Sequence, residues 1–326
     1  MNVLVDGEWT DGYQATNEDG EFERGETTFR DRIGPDAAYP AEPGRYHLYI
    51  SRACPWAHGA VLVRTLLGLE DAVSMDVLDP YREDRGWQFT PGKAGCTADS
   101  VNGFDYLAEA YTAADPAYTG RVTVPVLWDT QEGTVVNNES VEIMRMLAAN
   151  AGALGGRDVD LYPEGRREEI DDVIETIYEP INNGVYRAGF ADSQAAYEAA
   201  IDDLFSALDR LEATLEEQRY LVGDRLTLAD LRLFPTLVRF DPVYHVHFKC
   251  SVRRLVDYPN LWGYTRDVYG LDGVADTVNM DHITEHYYTT HTDVNPKRII
   301  AAFPDVDFEA PHDRDRLPGG PPAALG

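Results

Sequence analysis

Tyr46-His47-Leu48-Tyr49-Ile50-Ser51-Arg52-Ala53-Cys54-Pro55-Trp56-Ala57-His58 is the stretch on which the reading of this chain turns. Its first five residues read as a buried strand, and the apolar-periodic segment Ala60 to Leu69 that follows reads as a helix. Cys54 and Pro55 stand at the join. Proline suits a first helical turn, where its missing N–H would have no intrahelical partner. A cysteine just before it has its sulfur beside the free amides of the helix start, whose partial positive charge favours the thiolate. An isolated cysteine is ordinarily an inert buried residue. The strand, proline and helix around Cys54 make it a candidate nucleophile instead.

Working outward, Val73 to Leu78 reads as a second strand closed by Asp79-Pro80, which completes a βαβ unit. Residues 80–120 are a long insertion carrying Gly86-Trp87-Gln88-Phe89, Pro91-Gly92 and Cys96, with a helix expected over 103–114. An insertion of that length in a small domain is more often functional than idle. Val122 to Asp129, interrupted by Pro125, and Gly133 to Asn137 read as a hairpin; a helix over 140–149 follows, with Asn138, Glu139 and Ser140 as available caps. Strand, helix, strand, proline-bearing hairpin and helix make a thioredoxin-like arrangement, and Cys54 stands where such folds keep a reactive sulfur. A cis Val124-Pro125 bond would turn the Val124 backbone outward to pair with an extended peptide ligand. An edge-strand proline is the plainer reading.

Gly152 to Gly165 reads as a linker, and beyond it the pattern is helical over 166–180, 194–218 and 227–240, with shorter pieces to about 290. Thr227 and Asp230 suit the N-cap and N3 positions of a capping box, with Leu226 able to staple to Leu231. The expected fold is therefore α/β plus all-α: a thioredoxin-like domain over about 46–155 and an α-helical domain over about 162–290. Residues 1–45 read as an extended arm, with turns at Asp6-Gly7, Asp11-Gly12 and Asp19-Gly20 and isolated aromatics Trp9, Tyr13, Phe22 and Phe29. Pro, Asp and Gly dominate from Ala302 onward, so residues 302–326 read as a disordered tail.

Composition narrows the function. The formal charge of -29 excludes a nucleic-acid role, and with 44% hydrophobic residues it points to a folded chain with a surface suited to concentrated salt. Only Lys93, Lys249 and Lys297 are lysines, so arginine supplies nearly all the positive charge. No apolar run is long enough to span a membrane, and the first twenty residues are acidic and polar where a signal peptide would be basic and then apolar, so the expected place is the cytoplasm, with no membrane partner. Three scattered cysteines, Cys54, Cys96 and Cys250, suit a reducing compartment.

Redox members of the thioredoxin-like fold usually carry a second cysteine three residues after the first, which resolves the mixed disulfide internally. Here Ala57 occupies that position. A thiolate at Cys54 can therefore form a mixed disulfide but needs a second, external thiol to finish the cycle, with Cys96 and Cys250 as fallback resolving groups. Asn137-Asn138-Glu139-Ser140 stands before a helix, where free amides attract a carboxylate and a Glu side chain can hold an ammonium. That pair suits the amino-acid end of a γ-glutamyl peptide, and an ordinary N-cap is the alternative. His282, His286 and His291 invite a metal reading, but no third ligand has recognisable spacing, so neither a metal nor a bound cofactor is expected.

Together these segments resemble the Xi-class glutathione transferases, the glutathionyl-hydroquinone reductases. The resemblance runs from about Phe29 to Pro296 and rests on Cys-Pro-Trp-Ala-His at 54–58, Gly-Trp-x-Phe at 86–89, Val124-Pro125, Asn-Asn-Glu-Ser at 137–140, Ile181 to Phe190 and His286 to His291. It implies a glutathione-transferase fold and, as in other family members, a homodimer. It also implies that Cys54 attacks the sulfur of a glutathionyl-hydroquinone and that a second glutathione restores the thiol. Trp87, Val124, Glu139 and Ser140 would hold the thiol, Tyr186 and Tyr287 would act at the hydroquinone ring, Trp56 and Tyr288 would line its pocket, and His286 and His291, within the same stretch, would orient the tyrosines. The family usually carries arginine after Cys-Pro-Trp-Ala-His, where this chain has Gly59. With a salt-adapted composition, that loss fits γ-glutamylcysteine as co-substrate in place of glutathione. A glutaredoxin-like deglutathionylase of mixed disulfides would use the same Cys54 without the tyrosines. A non-catalytic binding module of the same fold would not need the cysteine.

Overall fold

The protein is described by a computed structural model over residues 3–10, 15–303 and 306–325; the expected turn Asp11-Gly12 and Tyr13 lie outside the described residues. The chain divides into two compact units, and neither is contiguous. The first takes Arg24–Asp158 with Met1–Ala15 and Asn279–His286. The second takes Val159–Val278 with Thr16–Glu23 and Tyr287–Gly326.

In the first unit, β1 (Val3–Val5) and β2 (Glu8–Thr10) pair antiparallel around Asp6-Gly7. Both turn residues have positive φ, 49° and 78°, the backbone of a two-residue hairpin turn whose twist matches its strands. The arm thus begins as a hairpin rather than as irregular extended chain. The main sheet orders β4-β3-β5-β6, with β3 (Tyr46–Ile50) parallel to β4 (Val73–Val77) and antiparallel to β5 (Val126–Asp129), and β5 antiparallel to β6 (Thr134–Asn137). β3 is central and every residue of it is buried, which is why its sequence shows no alternation. α1 (Pro55–Leu66) supplies the crossover that a parallel β3–β4 pair requires, and it packs against α3 (Ser140–Ala149). α2 (Leu107–Ala114) lies in the insertion. β5 starts after Pro125, later than the sequence suggests, because a proline cannot donate to a ladder. The Val124-Pro125 bond is cis.

The second unit is helical: α4 (Arg167–Ile177), α5 (Gly184–Gly189), α6 (Gln194–Glu217), α7 (Leu228–Leu237), α8 (Pro259–Tyr269), α9 (Val274–Thr277) and α10 (Met280–Thr290). Residues 279–286, which carry the first part of α10, belong to the first unit although the periodicity assigns them to the helical domain. The α7 capping box forms as its residue types require. Asp230 accepts from Thr227 N at 2.8 Å, Leu221 N at 2.9 Å and the Tyr264 hydroxyl at 3.0 Å, all buried.

Described residues of the tail make specific contacts that its composition does not signal. Arg314 is fully buried and its guanidinium donates to the carbonyls of Leu215 (2.6 Å), Gln218 (2.6 Å) and Arg219 (3.0 Å), satisfying the C-terminal end of α6. Phe308 packs on Trp262 and Tyr269 of α8, and Leu325 is fully buried. Pro and Gly content hides this because the anchoring is done by one arginine and two apolar residues rather than by a periodic face. Among the described residues no helix is long and apolar enough to cross a membrane.

Candidate active site

The first unit builds a thiol centre from three loops. β3 ends at Ile50, and after the short turn Ser51 to Ala53 the residue at the N-cap of α1 is Cys54, with extended backbone (φ −78°, ψ 120°) and Pro55 in the first turn. The cysteine does not use its side chain as a cap; its Sγ donates to the Val124 carbonyl at 3.6 Å, on the cis-proline segment before β5. Cys54 is buried, with about 8% of its surface exposed beside the helix start. Two residues on, Trp56 is half-buried, with the Arg24 guanidinium 4.6 Å above its ring.

Trp87 is held by packing. Its ring stacks on His286 at 5.1 Å and 17°, and His286 Nδ1 in turn donates to the Pro80 carbonyl at 2.7 Å. His282 Nε2 donates to the Ala94 carbonyl at 2.8 Å. These two histidines therefore pin the insertion, and His286 orients Trp87 rather than a tyrosine. Lys93 binds Asp79 at 2.8 Å and also Glu285, closing the same region. Hydrogen bonds from Lys93, Thr90 and the Tyr81 amide outweigh the cost of burial and hold the Asp79 carboxyl below its ordinary range.

Glu139 is the N-cap residue of α3, accepting from Val141 N at 3.5 Å, while Thr27 donates to its other oxygen at 3.2 Å and the buried Ser140 hydroxyl lies 3.4 Å away. A cap bond that long holds the helix weakly and leaves carboxylate capacity for another donor. Asn137 and Asn138 do structural work. Asn137 Nδ2 donates to the Asp31 carbonyl and to Glu142, and Asn138 Nδ2 donates to the Tyr111 hydroxyl at 3.1 Å. Cys54, Trp56, Trp87, Val124, Glu139 and Ser140 all belong to this unit.

The second unit carries the tyrosines. Tyr186 lies on α5, and its hydroxyl stands 2.5 Å from that of Tyr287 on α10. Tyr244, which the sequence reading did not single out, completes the chain with its hydroxyl 2.9 Å from Tyr287. Tyr244 ends a π-helical turn, Phe240–Tyr244, and a second such turn, Tyr178–Asn182, leads into α5; turns of this kind recur at functional sites because they re-aim side chains. Burial pushes the Tyr287 and Tyr244 hydroxyls well above 10, so both stay neutral donors at any physiological pH. Phe22, Phe190, Phe248, His247 and His291 wall the cluster. Gly189 is required there, since a Cβ would stand 2.1 Å from the Phe248 ring. Tyr288, adjacent to Tyr287, instead donates to the Pro242 carbonyl at 3.0 Å, and its ring meets His247.

Cys54, Cys96 and Cys250 form no disulfide with one another. Cys250 is fully buried in the second unit, and burial pushes its thiol far up. Cys96 is half-buried in the first, 3.8 Å from the Leu78 carbonyl, with its thiol also raised by burial. Neither has the character of a resolving thiolate.

Comparison with known proteins agrees with this geometry. Residues 53–150 match the family description "Glutathione S-transferase, N-terminal domain" and residues 194–267 match "Glutathione S-transferase, C-terminal domain". Glutathionyl-hydroquinone reductase PcpF of Sphingobium chlorophenolicum is 49% identical over 93% of this chain and 96% of its own length. The solved Xi-class glutathione transferase from Natrialba magadii superposes with a TM-score of 0.92 at 57% identity, covering 98% of each chain. The glutathione-bound structure of YqjG from Escherichia coli K-12 superposes with a TM-score of 0.88 at 44% identity, covering 96% of this chain and 99% of that one. A thiol centre on a thioredoxin-like sheet, a helical unit with a buried tyrosine cluster, and full-length similarity of this degree leave one assignment: the chain belongs to the glutathione transferase family, in its Xi class of glutathionyl-hydroquinone reductases.

Proposed function

We propose that the protein reductively removes glutathione, or γ-glutamylcysteine, from thiol-conjugated hydroquinones. The observation that carries this reading is Cys54 at the N-cap of α1 with Ala57, not a second cysteine, one turn on. The Cys54 thiolate attacks the sulfur of the conjugate; the Cys54–thiol disulfide forms, the sulfur–aryl bond breaks, and the ring carbon takes a proton to release the hydroquinone. A second thiol then attacks the mixed disulfide, leaving an oxidised thiol dimer and free Cys54. Atoms and electrons balance: the thiol released from the conjugate and one free thiol leave as one disulfide, the ring gains the hydrogen, and no bound cofactor is needed.

In this assignment Trp87, the Val124 backbone, Glu139 and Ser140 hold the thiol, and Trp56 and Tyr288 are lining residues. Tyr186 and Tyr287 donate to the ring oxygen, where negative charge grows as the bond breaks, and supply the proton path. The low lysine count, the charge of -29 and Gly59 in the place of the usual arginine support a salt-adapted cytoplasmic enzyme with γ-glutamylcysteine as its thiol. γ-Glutamylcysteine carries its second carboxylate on the cysteine itself, so the anion stands one residue nearer the sulfur than the glycine carboxylate of glutathione does. A homodimer is the assembly that the family resemblance suggests.

Intact mass spectrometry after exposure to glutathionyl-menadiol tests the reading. The expected result is a glutathione adduct on Cys54 with menadiol released, and no adduct in Cys54→Ser. An unmodified Cys54 in the active protein overturns it. Turnover of glutathione conjugates much faster than γ-glutamylcysteine conjugates removes the salt-adapted thiol assignment and leaves the reaction standing.

A further inference from the structure

Strands β1 and β2 hold three residues each, too little paired chain to stand alone in water. They are held by the insertion of the first unit, which one cross-strand pair, Leu4 opposite Trp9, grips in two places. From β1, Leu4 N donates to the Gly120 carbonyl at 3.0 Å, and the Leu4 carbonyl accepts from Gly120 N at 2.9 Å. The turn adds Gly7 N to the Tyr118 carbonyl at 3.0 Å and Asp6 N to the Thr119 hydroxyl at 2.9 Å. From β2, Trp9 Nε1 donates to the Asp84 carbonyl at 2.5 Å, and its ring fills the space beside Gly86, where a Cβ would stand 2.7 Å from it. Gly86 has a φ of 87°, which favours glycine, so its missing side chain serves both the turn and the tryptophan.

Both gripped segments run straight into residues that the assignment above places at the thiol. Trp87 follows Gly86, Val124 stands four residues after Gly120, and both are buried. The Trp87 loop is closed on itself, with Asp79 N donating to the Gln88 carbonyl and Gly86 N to the Glu83 carbonyl, each at 2.9 Å, so a shift at Gly86 passes on to Trp87. We propose that Trp9 is a positioning residue for thiol binding: the N-terminal hairpin is a clamp that ties the Trp87 loop to the segment leading into Pro125 and fixes the spacing between Trp87 and the Val124 backbone. A clamp of this kind sets how tightly the thiol is held, equally before and during bond breaking. It therefore acts on KM and leaves kcat alone.

The proposal rests on Trp87 holding the thiol, and the variants separate the two. The KM for glutathione and kcat are measured on the full-length protein with saturating glutathionyl-menadiol, and Tm by calorimetry. Trp9→Ala should raise the glutathione KM about tenfold with kcat within about twofold of wild type. Trp9→Phe, which loses the bond to Asp84, should raise it about threefold. Trp87→Ala should raise KM by about tenfold or more, and adding Trp9→Ala to it should change KM by less than about twofold, because the clamp then has nothing to place. A lower Tm with the wild-type KM in Trp9→Ala marks a merely structural hairpin and overturns the proposal. A double variant whose KM shows the product of the two single increases overturns it as well. Trp87→Ala with the wild-type KM overturns the thiol assignment of Trp87 itself, whereas a raised KM there with none in Trp9→Ala overturns the clamp alone. Should Trp9→Ala fail to fold, Trp9→Phe decides: a raised KM at unchanged kcat supports the clamp and the wild-type KM overturns it.

Discussion

Tyr287→Phe separates the two half-reactions. Its hydroxyl lies 2.5 Å from Tyr186 and 2.9 Å from Tyr244, all three are buried, and Phe fills the same volume. Two hydrogen bonds are lost at about 1 kcal/mol each, so the fold should weaken by about 2 kcal/mol and Tm should fall by about 4–8 °C. The catalytic effect is larger. Removing one preorganised donor from a developing oxyanion costs about 10²–10³ in rate. Menadiol release from glutathionyl-menadiol should drop by that factor, while reduction of a small glutathione mixed disulfide, which has no aryl leaving group, should change by less than about threefold. Because the Tyr186 and Tyr287 hydroxyls share one hydrogen bond, Tyr186→Phe and the double variant should each lose about as much as Tyr287→Phe alone; independent groups would multiply. Stopped-flow kinetics on both substrates measures this. Equal losses on the two substrates, or a double variant showing the product of the single losses, would refute the tyrosine assignment.

Two further substitutions test the second unit. Arg314→Ala strands three carbonyls at the end of α6 and should cost about 3 kcal/mol, lowering Tm by about 6–12 °C in calorimetry; a change under about 2 °C would mean that the tail does not hold that helix. Asp230→Ala leaves the Leu221 and Thr227 amides and the Tyr264 hydroxyl buried without their acceptor and should cost more, about 4 kcal/mol, measured by urea unfolding; a loss below about 1 kcal/mol would contradict the capping geometry.

The thiol centre was legible because its signals are local. A buried strand, a cysteine and a proline within ten residues admit few backbone arrangements, so Cys54 at the N-cap of α1 follows from residue type, while the cis Val124-Pro125 bond was legible only from the place of that proline in the fold pattern. The α7 box was readable for the same reason. Tyr244 was not, because its place in the cluster depends on a π-helical turn, which leaves no periodic mark, and on partners 43 and 58 residues away, Tyr287 and Tyr186. The role of His286 was misread because motif membership placed it with the tyrosines, while its ring packs on Trp87, about two hundred residues earlier. The contacts of Arg314 were not legible, because composition cannot show a single arginine buried against three carbonyls.

The interleaving of the two units also bears on how the protein is made. Translation runs from one end, yet the second unit includes Thr16–Glu23 and residues beyond Tyr287, and the first includes Asn279–His286. Each unit therefore waits for chain far downstream of most of its own residues, and α6 stays uncapped until Arg314 has left the ribosome. The nascent thiol-binding sheet can form early, but both units are completed only by later segments, so removal of Asn279–His286 or of Arg314 acts on assembly itself.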